Sequence, residues 1–95
     1  MNNDSYATLL APLVTQYRKK SYKFWEEKVT SRKQITFEVH APDGTLCCVE
    51  IQAFWDSKPF ENIRVMFAIS DGSRDAFMPY CEGFILGPDG AFVGE

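Results

Sequence analysis

The sequence predicts an α+β fold in one domain, residues 1–95, in which an N-terminal amphipathic helix packs on a curved antiparallel sheet of four to six strands. The first observation is a change of period. Apolar residues recur every three or four positions before about residue 30 and every second position after it, as expected for a helix followed by strands. The second observation is that short strand-like runs are separated by turn sequences such as Pro-Asp-Gly, which join neighbouring antiparallel strands.

The helix occupies the first third of the chain, where the apolar residues form one stripe. Asp4 or Ser5 is expected to cap its start, since either side chain accepts hydrogen bonds from free backbone N–H groups. Pro12 donates no hydrogen bond, and its ring clashes with the preceding turn. We therefore predict a main helix over about 12–29, preceded by a short helical lead-in.

Three strands are predicted in the middle of the chain. The first alternates from Ile35 to Val39, and Pro42-Asp43-Gly44 then forms a tight turn. The second runs from Leu46 to about Trp55 and the third from Asn62 to Ser70. The side chains expected to face the core are Cys47, Val49, Ile51, Ala53 and Trp55 in the second strand and Ile63, Val65, Phe67 and Ile69 in the third.

Two further hairpins are predicted towards the C-terminus. Asp71-Gly72 is typical of a two-residue hairpin turn, because that turn needs positive φ at both positions. The returning strand would run from Arg74 to Met78 and end at Pro79. A second Pro-Asp-Gly turn, residues 88–90, is flanked by the apolar segments 84–86 and 91–93, which predicts another hairpin.

Composition excludes several classes of protein. Hydrophobic residues make up 45% of the chain, which is too many for disorder, and no apolar run approaches the roughly 20 residues that cross a bilayer. The first residues lack the basic start and apolar core of a signal peptide. Cys47, Cys48 and Cys81 lack metal-ligand spacing, in agreement with a reducing compartment. We therefore expect a cytoplasmic protein that contacts no membrane.

Charge is distributed unevenly in this chain of net charge −3. Residues 1–33 carry seven basic and three acidic side chains, a net charge of +4, whereas residues 34–95 carry three basic and ten acidic ones, a net charge of −7. The basic cluster Arg18-Lys19-Lys20 resembles those that bind phosphates, but the strongly acidic remainder argues against nucleic acid. The asymmetry favours a basic protein partner instead.

No catalytic motif is recognisable in the sequence. His40 is the single histidine, and it is interpreted as an exposed residue at a strand end, with Glu38 and Asp43 as its nearest candidate partners. Cys81 lacks the adjacent base that a nucleophilic cysteine needs. The carboxylates have no spacing that singles out an acid–base pair, and no glycine-rich phosphate motif occurs. We therefore expect no enzymatic activity, no cofactor and no metal.

A protein-binding surface is predicted where aromatic and charged residues cluster along the sheet half. Aromatic and arginine side chains are enriched at the energetic centres of protein interfaces. The predicted contact residues are Phe54, Trp55, Asp56, Phe60, Arg64, Asp71 and Arg74. For Trp55 and Phe60, closure of the core edge is the alternative interpretation.

Several segments resemble those of small uncharacterised bacterial proteins that end in the same hairpin. They are Val49 to Asp56, Ile63-Arg64-Val65, Asp71-Gly72 and Pro88-Asp89-Gly90-Ala91-Phe92-Val93-Gly94-Glu95. Small acidic α+β proteins of this size also resemble immunity proteins, which present an acidic surface with central aromatic residues to a basic effector. The resemblance implies an immunity-type role. The fold itself is similar to cystatin-like and NTF2-like folds, an analogy that carries no function.

Two other hypotheses stay open. A pocket between helix and sheet, lined by Tyr17, Trp25, Phe37 and Trp55, would make the chain a small-molecule-binding domain or an enzyme. An exposed strand edge would allow the formation of a homodimer, which is compatible with either function.

Overall fold

The computed structural model describes residues 2–72 and 79–95. Within these residues two helices precede four strands, with the bounds α1 (Asn3–Tyr17), α2 (Tyr22–Ser31), β1 (Ile35–His40), β2 (Leu46–Trp55), β3 (Ile63–Ser70) and β4 (Tyr80–Leu86). The strands form an antiparallel sheet in the order β1-β2-β3-β4. The predicted α+β fold, with helix first and antiparallel sheet after it, is confirmed.

The helical part is divided in two, so the prediction of one main helix over 12–29 is wrong. Pro12 lies inside α1, on its exposed side, and does not mark the start of a helix. The break falls at residues 18–21. The Ser21 hydroxyl accepts a hydrogen bond from the Phe24 N–H (3.1 Å) and so caps the start of a second helix.

The helix ends are capped by residues that direct the chain. At the start of α1 the Asn2 side chain accepts from the Ser5 N–H (2.8 Å), so Asn2, and not Asp4 or Ser5, is the cap. At the end of α2, Arg32 adopts a left-handed conformation with φ +57°. This conformation ends the helix within one residue and directs the chain towards β1.

Both helices pack on the same face of the sheet, α1 on β3 and β4 and α2 on β2 and β3. Phe67 lies at the centre of this layer, with its ring centroid 6.1 Å from that of Tyr17 and 6.0 Å from that of Phe84. The buried core consists of Tyr6, Leu10, Trp25, Cys47, Val49, Ile51, Ile63, Val65, Phe67, Ile69, Phe84 and Leu86. The inward faces predicted for the second and third strands are therefore confirmed, with Ala53 and Trp55 only half buried.

The side chains that alternate with the core residues lie on the opposite face of the sheet. Glu38, Glu50, Phe54 and Arg64 are among them. We call it the uncovered face, because in the part of the chain that the structure describes both helices pack on the other side. The turn at Pro42-Asp43-Gly44 joins β1 to β2 as predicted.

The connection from β3 to β4 differs from the prediction. Ile69 pairs with Tyr80, so residues 70–79 lie between the paired positions and the two-residue hairpin at Asp71-Gly72 is wrong. The predicted returning strand, Arg74 to Met78, lies outside the described residues. Pro79 directly precedes β4. Proline is tolerated at this position because the sheet does not need a backbone N–H donor there.

The second Pro-Asp-Gly turn is present near the C-terminus. Gly90 has φ +84°, and the Asp89 carboxylate accepts from the Ala91 N–H (3.0 Å). The predicted strand after the turn is reduced to a single bridge between Leu86 and Phe92.

Arg18 anchors this C-terminal turn to the end of α1. Its guanidinium carbon lies 3.9 Å from the centroid of the Phe92 ring, and its Nη2 donates to the Glu95 carboxylate (2.5 Å). One side chain therefore combines a cation–π contact with an ion pair. The hydrogen bond from Arg18 lowers the pKa of Glu95.

We expect Glu95→Gln to lower the melting temperature at neutral pH. A carboxylate whose pKa is lowered by folding contributes stability above its ordinary pKa, and the contribution is lost as pH falls through the lowered value. The difference in melting temperature between wild type and variant should therefore vanish in acid. Circular dichroism melts across this range measure it, with Glu50→Gln as the matched control. A pH-independent difference would contradict the ion pair.

Candidate functional site

The structure brings most of the predicted contact residues together at one end of the sheet. Phe54 and Trp55 end β2, Asp56 and Phe60 lie in the connection to β3, and Arg64 is the second residue of β3. We call Phe54, Trp55 and Phe60 the aromatic end. Two predicted residues do not lie at this end of the sheet, since Asp71 follows the opposite end of β3 and Arg74 lies outside the described residues.

The two aromatic residues of β2 face opposite sides, because successive side chains of a strand alternate between its faces. Phe54 pairs with Arg64, lies on the uncovered face and is 41% exposed. Trp55 lies on the helix-covered side and is half buried. Its ring centroid is 5.3 Å from that of Phe60, so the two side chains form one contact surface around the end of the strand.

The connection after β2 is held in place by several hydrogen bonds. One Asp56 carboxylate oxygen accepts from the Arg64 Nε (2.9 Å) and Nη2 (2.8 Å), and the Asp56 N–H donates to the Asn62 carbonyl (2.9 Å). The Tyr22 hydroxyl of α2 donates to the Glu61 carbonyl (2.6 Å). Asp56 and Arg64, predicted as partner contacts, thus bind each other and support the loop.

Burial of the Tyr22 side chain raises the pKa of its hydroxyl, and the nearby Glu26 and Glu61 carboxylates raise it further. The hydroxyl therefore keeps its proton, and with it the hydrogen bond to the loop, throughout the neutral range. The loop is fixed to both the sheet and α2 under these conditions.

Phe60 is the most unusual residue of this loop. It is 70% exposed and adopts the left-handed conformation, with φ +66°. For a residue with a Cβ this conformation costs about 1–2 kcal/mol, and burial offsets little of that cost here. Strained residues of this kind concentrate at functional sites. The sequence showed an apolar residue in a turn segment but gave no signal of its backbone conformation.

A cleft of about 510 Å³ lies beside the aromatic end. Its lining residues are Val29, Thr30, Arg32, Lys33, Gln34, Gln52, Ala53, Phe54 and Trp55. Two of these, Arg32 and Lys33, carry charge, and both charges are positive. Sequence reasoning counted these two residues only towards the basic first third of the chain and missed their position beside the aromatic residues.

The pocket proposed between helix and sheet is occupied by packed side chains. Trp25 is 1% exposed, and its ring lies 6.0 Å from that of Tyr17. Phe37 lies half buried on β1. Of the four residues predicted to line a pocket, Trp55 lines the cleft described above.

The candidate catalytic groups lie apart from the aromatic end. His40 is exposed at the end of β1, and Cys81 is exposed on β4. Within residues 2–72 and 79–95 no group of His, Cys, Asp and Glu side chains could hold a metal ion. No helix in the described part of the chain is long and apolar enough to span a membrane.

No protein-family model matches the chain, and searches of curated proteins and of solved structures gave no match.

The left-handed conformation of Phe60 predicts an unusual order of stabilities. The free energy of unfolding of Phe60→Gly should exceed that of Phe60→Ala by about 1 kcal/mol, because glycine adopts positive φ without strain. Urea denaturation of the two variants measures the difference. At Lys58, as a control, the glycine variant should be no more stable than the alanine variant. Equal stability of the two Phe60 variants would contradict the conformation.

Proposed function

We propose that this chain is a non-enzymatic protein-binding domain that contacts its partner through the aromatic end. The observation that carries the proposal is the geometry of Phe60. Its exposed ring is held beside Trp55 in a strained conformation by a hydrogen-bonded loop. An ordered, exposed aromatic group loses little conformational entropy on binding, which is the property of an interface anchor.

The surroundings of the aromatic end support this proposal. Polar groups adjoin the rings along the chain: Asp56, which pairs with Arg64, follows Trp55, and Glu61 follows Phe60. Interfaces commonly combine a central aromatic group with a polar rim that excludes water from it. Phe54 adds a second exposed ring on the other side of β2.

The acidic excess of the sheet half favours a basic partner. Glu38 and Glu50 lie on the uncovered face of the neighbouring strands β1 and β2. A basic effector that binds the aromatic end and extends over this face would meet both carboxylates. Neutralisation of such an effector, as in an immunity-type protein, is one form of the proposed function.

The decisive experiment uses the partner itself. Tagged full-length chain captures companions from lysate of its native cells, and binding of the purified companion is then measured by calorimetry. Phe60→Gly and Trp55→Ala should each weaken the affinity about 30-fold or more, the size of an interface hot spot. Lys23→Ala, an exposed substitution on α2, should change it less than about threefold. Unchanged affinity of both aromatic variants would refute the proposal, and recovery of the chain alone would point to a homodimer.

For a basic partner we expect a specific salt dependence. Glu38→Gln combined with Glu50→Gln should lower the association rate constant at low ionic strength, because long-range attraction accelerates encounter. The effect should shrink at high salt, where the charges are screened. Stopped-flow mixing measures the association rate constants of wild type and variant at two salt concentrations. An equal rate constant for wild type and variant at low salt would contradict a basic partner on this face.

A further inference from the structure

β2 extends beyond the strand that covers its outer edge. The pairing of β1 with β2 starts at Ile35, opposite Ile51. β2 continues to Trp55, and among residues 2–72 and 79–95 its positions from Gln52 onward pair only with β3. The last part of β2 is therefore an edge of the sheet, and it begins where the pairing with β1 stops.

The hydrogen-bond pattern identifies the backbone groups that face this edge. Residues of an antiparallel strand direct their N–H and C=O groups alternately to one neighbour and to the other. The Asp56 N–H donates to the Asn62 carbonyl across the β2–β3 pair (2.9 Å), so Phe54 also faces β3. The N–H and C=O groups of Ala53 and Trp55 consequently point to the outer edge. In the described part of the chain these four groups have no backbone partner.

This edge coincides with the cleft of about 510 Å³. Gln52, Ala53, Phe54 and Trp55 line the cleft together with the end of α2 and the segment 32–34 that links α2 to β1. We call this combination of cleft and strand edge the notch. An extended segment placed in it would continue the line of β1 and complete the pairing of β2.

The charge of the notch selects the kind of segment. Arg32 and Lys33 are its charged lining residues, and the amides of Gln34 and Gln52 hydrogen bond to each other there (2.6 Å). We infer that the notch binds an acidic segment of the protein partner, in extended conformation, as an additional strand on β2. The inference rests on the proposed function, because it names the part of the partner that docks beside the aromatic end.

The other strand edges are less suited to an acidic segment. The outer edge of β1 is formed by Thr36, Glu38 and His40, and the Glu38 carboxylate would repel it. At the edge of β4 the Ile85 carbonyl already accepts from the Val93 N–H (2.8 Å). The notch differs from both because it is recessed and cationic.

The first test is a titration of the isotope-labelled full-length chain with a blocked hexapeptide in which glutamate and valine alternate. Nuclear magnetic resonance should show shifts of the Ala53 and Trp55 amides, and hydrogen exchange of both amides should slow several-fold as they become hydrogen-bonded. A peptide with lysine in place of glutamate should bind at least about tenfold more weakly. A glutamate peptide with methylated backbone nitrogens should also lose binding, because it cannot donate to β2.

Two variants test the same contacts from the side of the protein. Arg32→Gly with Lys33→Gln removes the charges while glycine keeps the left-handed backbone at position 32, and it should weaken peptide binding about tenfold. Ala53→Pro removes an N–H that faces the notch, so the fold should persist while binding is lost. Phe54→Pro, its matched control, removes a hydrogen bond to β3 and should lower the melting temperature.

The inference is overturned if the Ala53 and Trp55 amides do not respond at about 1 mM glutamate peptide, or if the lysine peptide binds equally well. Stronger binding of a single-stranded oligothymidine at the same amides would overturn it in favour of nucleic acid. If the partner binds Ala53→Pro like wild type but fails to bind Phe60→Gly, the inference about the notch is overturned and the proposed function is not. A partner that binds both Phe60→Gly and Trp55→Ala like wild type overturns the proposed function, while the peptide titration decides separately whether the notch binds an acidic strand.

Discussion

The surface at the end of the sheet depends on the unequal lengths of β1 and β2. β1 has 6 residues and β2 has 10. Trp25 fixes α2 against the core, and the left-handed Arg32 ends that helix and returns the chain to the sheet only at Ile35. β2 continues to Trp55 because β3 pairs with it there. The cleft and the free backbone edge both follow from this difference in length.

The position of Phe60 depends on contacts that are individually modest. The Asp56–Arg64 pair is partly exposed, so its contribution to stability is at most about 1 kcal/mol. Its geometric effect is larger, because together with the Asp56–Asn62 and Tyr22–Glu61 hydrogen bonds it defines both ends of the loop. A loop restrained at these points can hold a left-handed phenylalanine that an unrestrained chain would relax. The strain therefore resides where the surrounding structure determines the backbone.

Local patterns in the sequence predicted the parts of the fold that local physics decides. The alternation that buries Val65 and Phe67 in β3 is a property of any half-buried strand, and both Pro-Asp-Gly turns follow from the conformations those residues prefer. The break at Ser21 was missed because Pro12 is the stronger local signal, although α1 tolerates it. The contact residues at the end of β2 could be predicted as a cluster. The notch could not, because it depends on where β1 begins relative to β2, which is a matter of tertiary register.

Charge shows why a sum along the sequence is insufficient. Several acidic side chains of the sheet half are used locally, as at Asp43, whose pKa is lowered by the hydrogen bond from the Thr45 backbone, and at Glu95, which pairs with Arg18. The cleft at the aromatic end is positive because Arg32 and Lys33 line it. It lies against β2, which belongs to the segment 34–95 with a net charge of −7. A partner with an acidic strand beside a basic surface would match the notch and the uncovered face together. Reversing its orientation would bring like charges into contact, so the two sites would select one binding orientation.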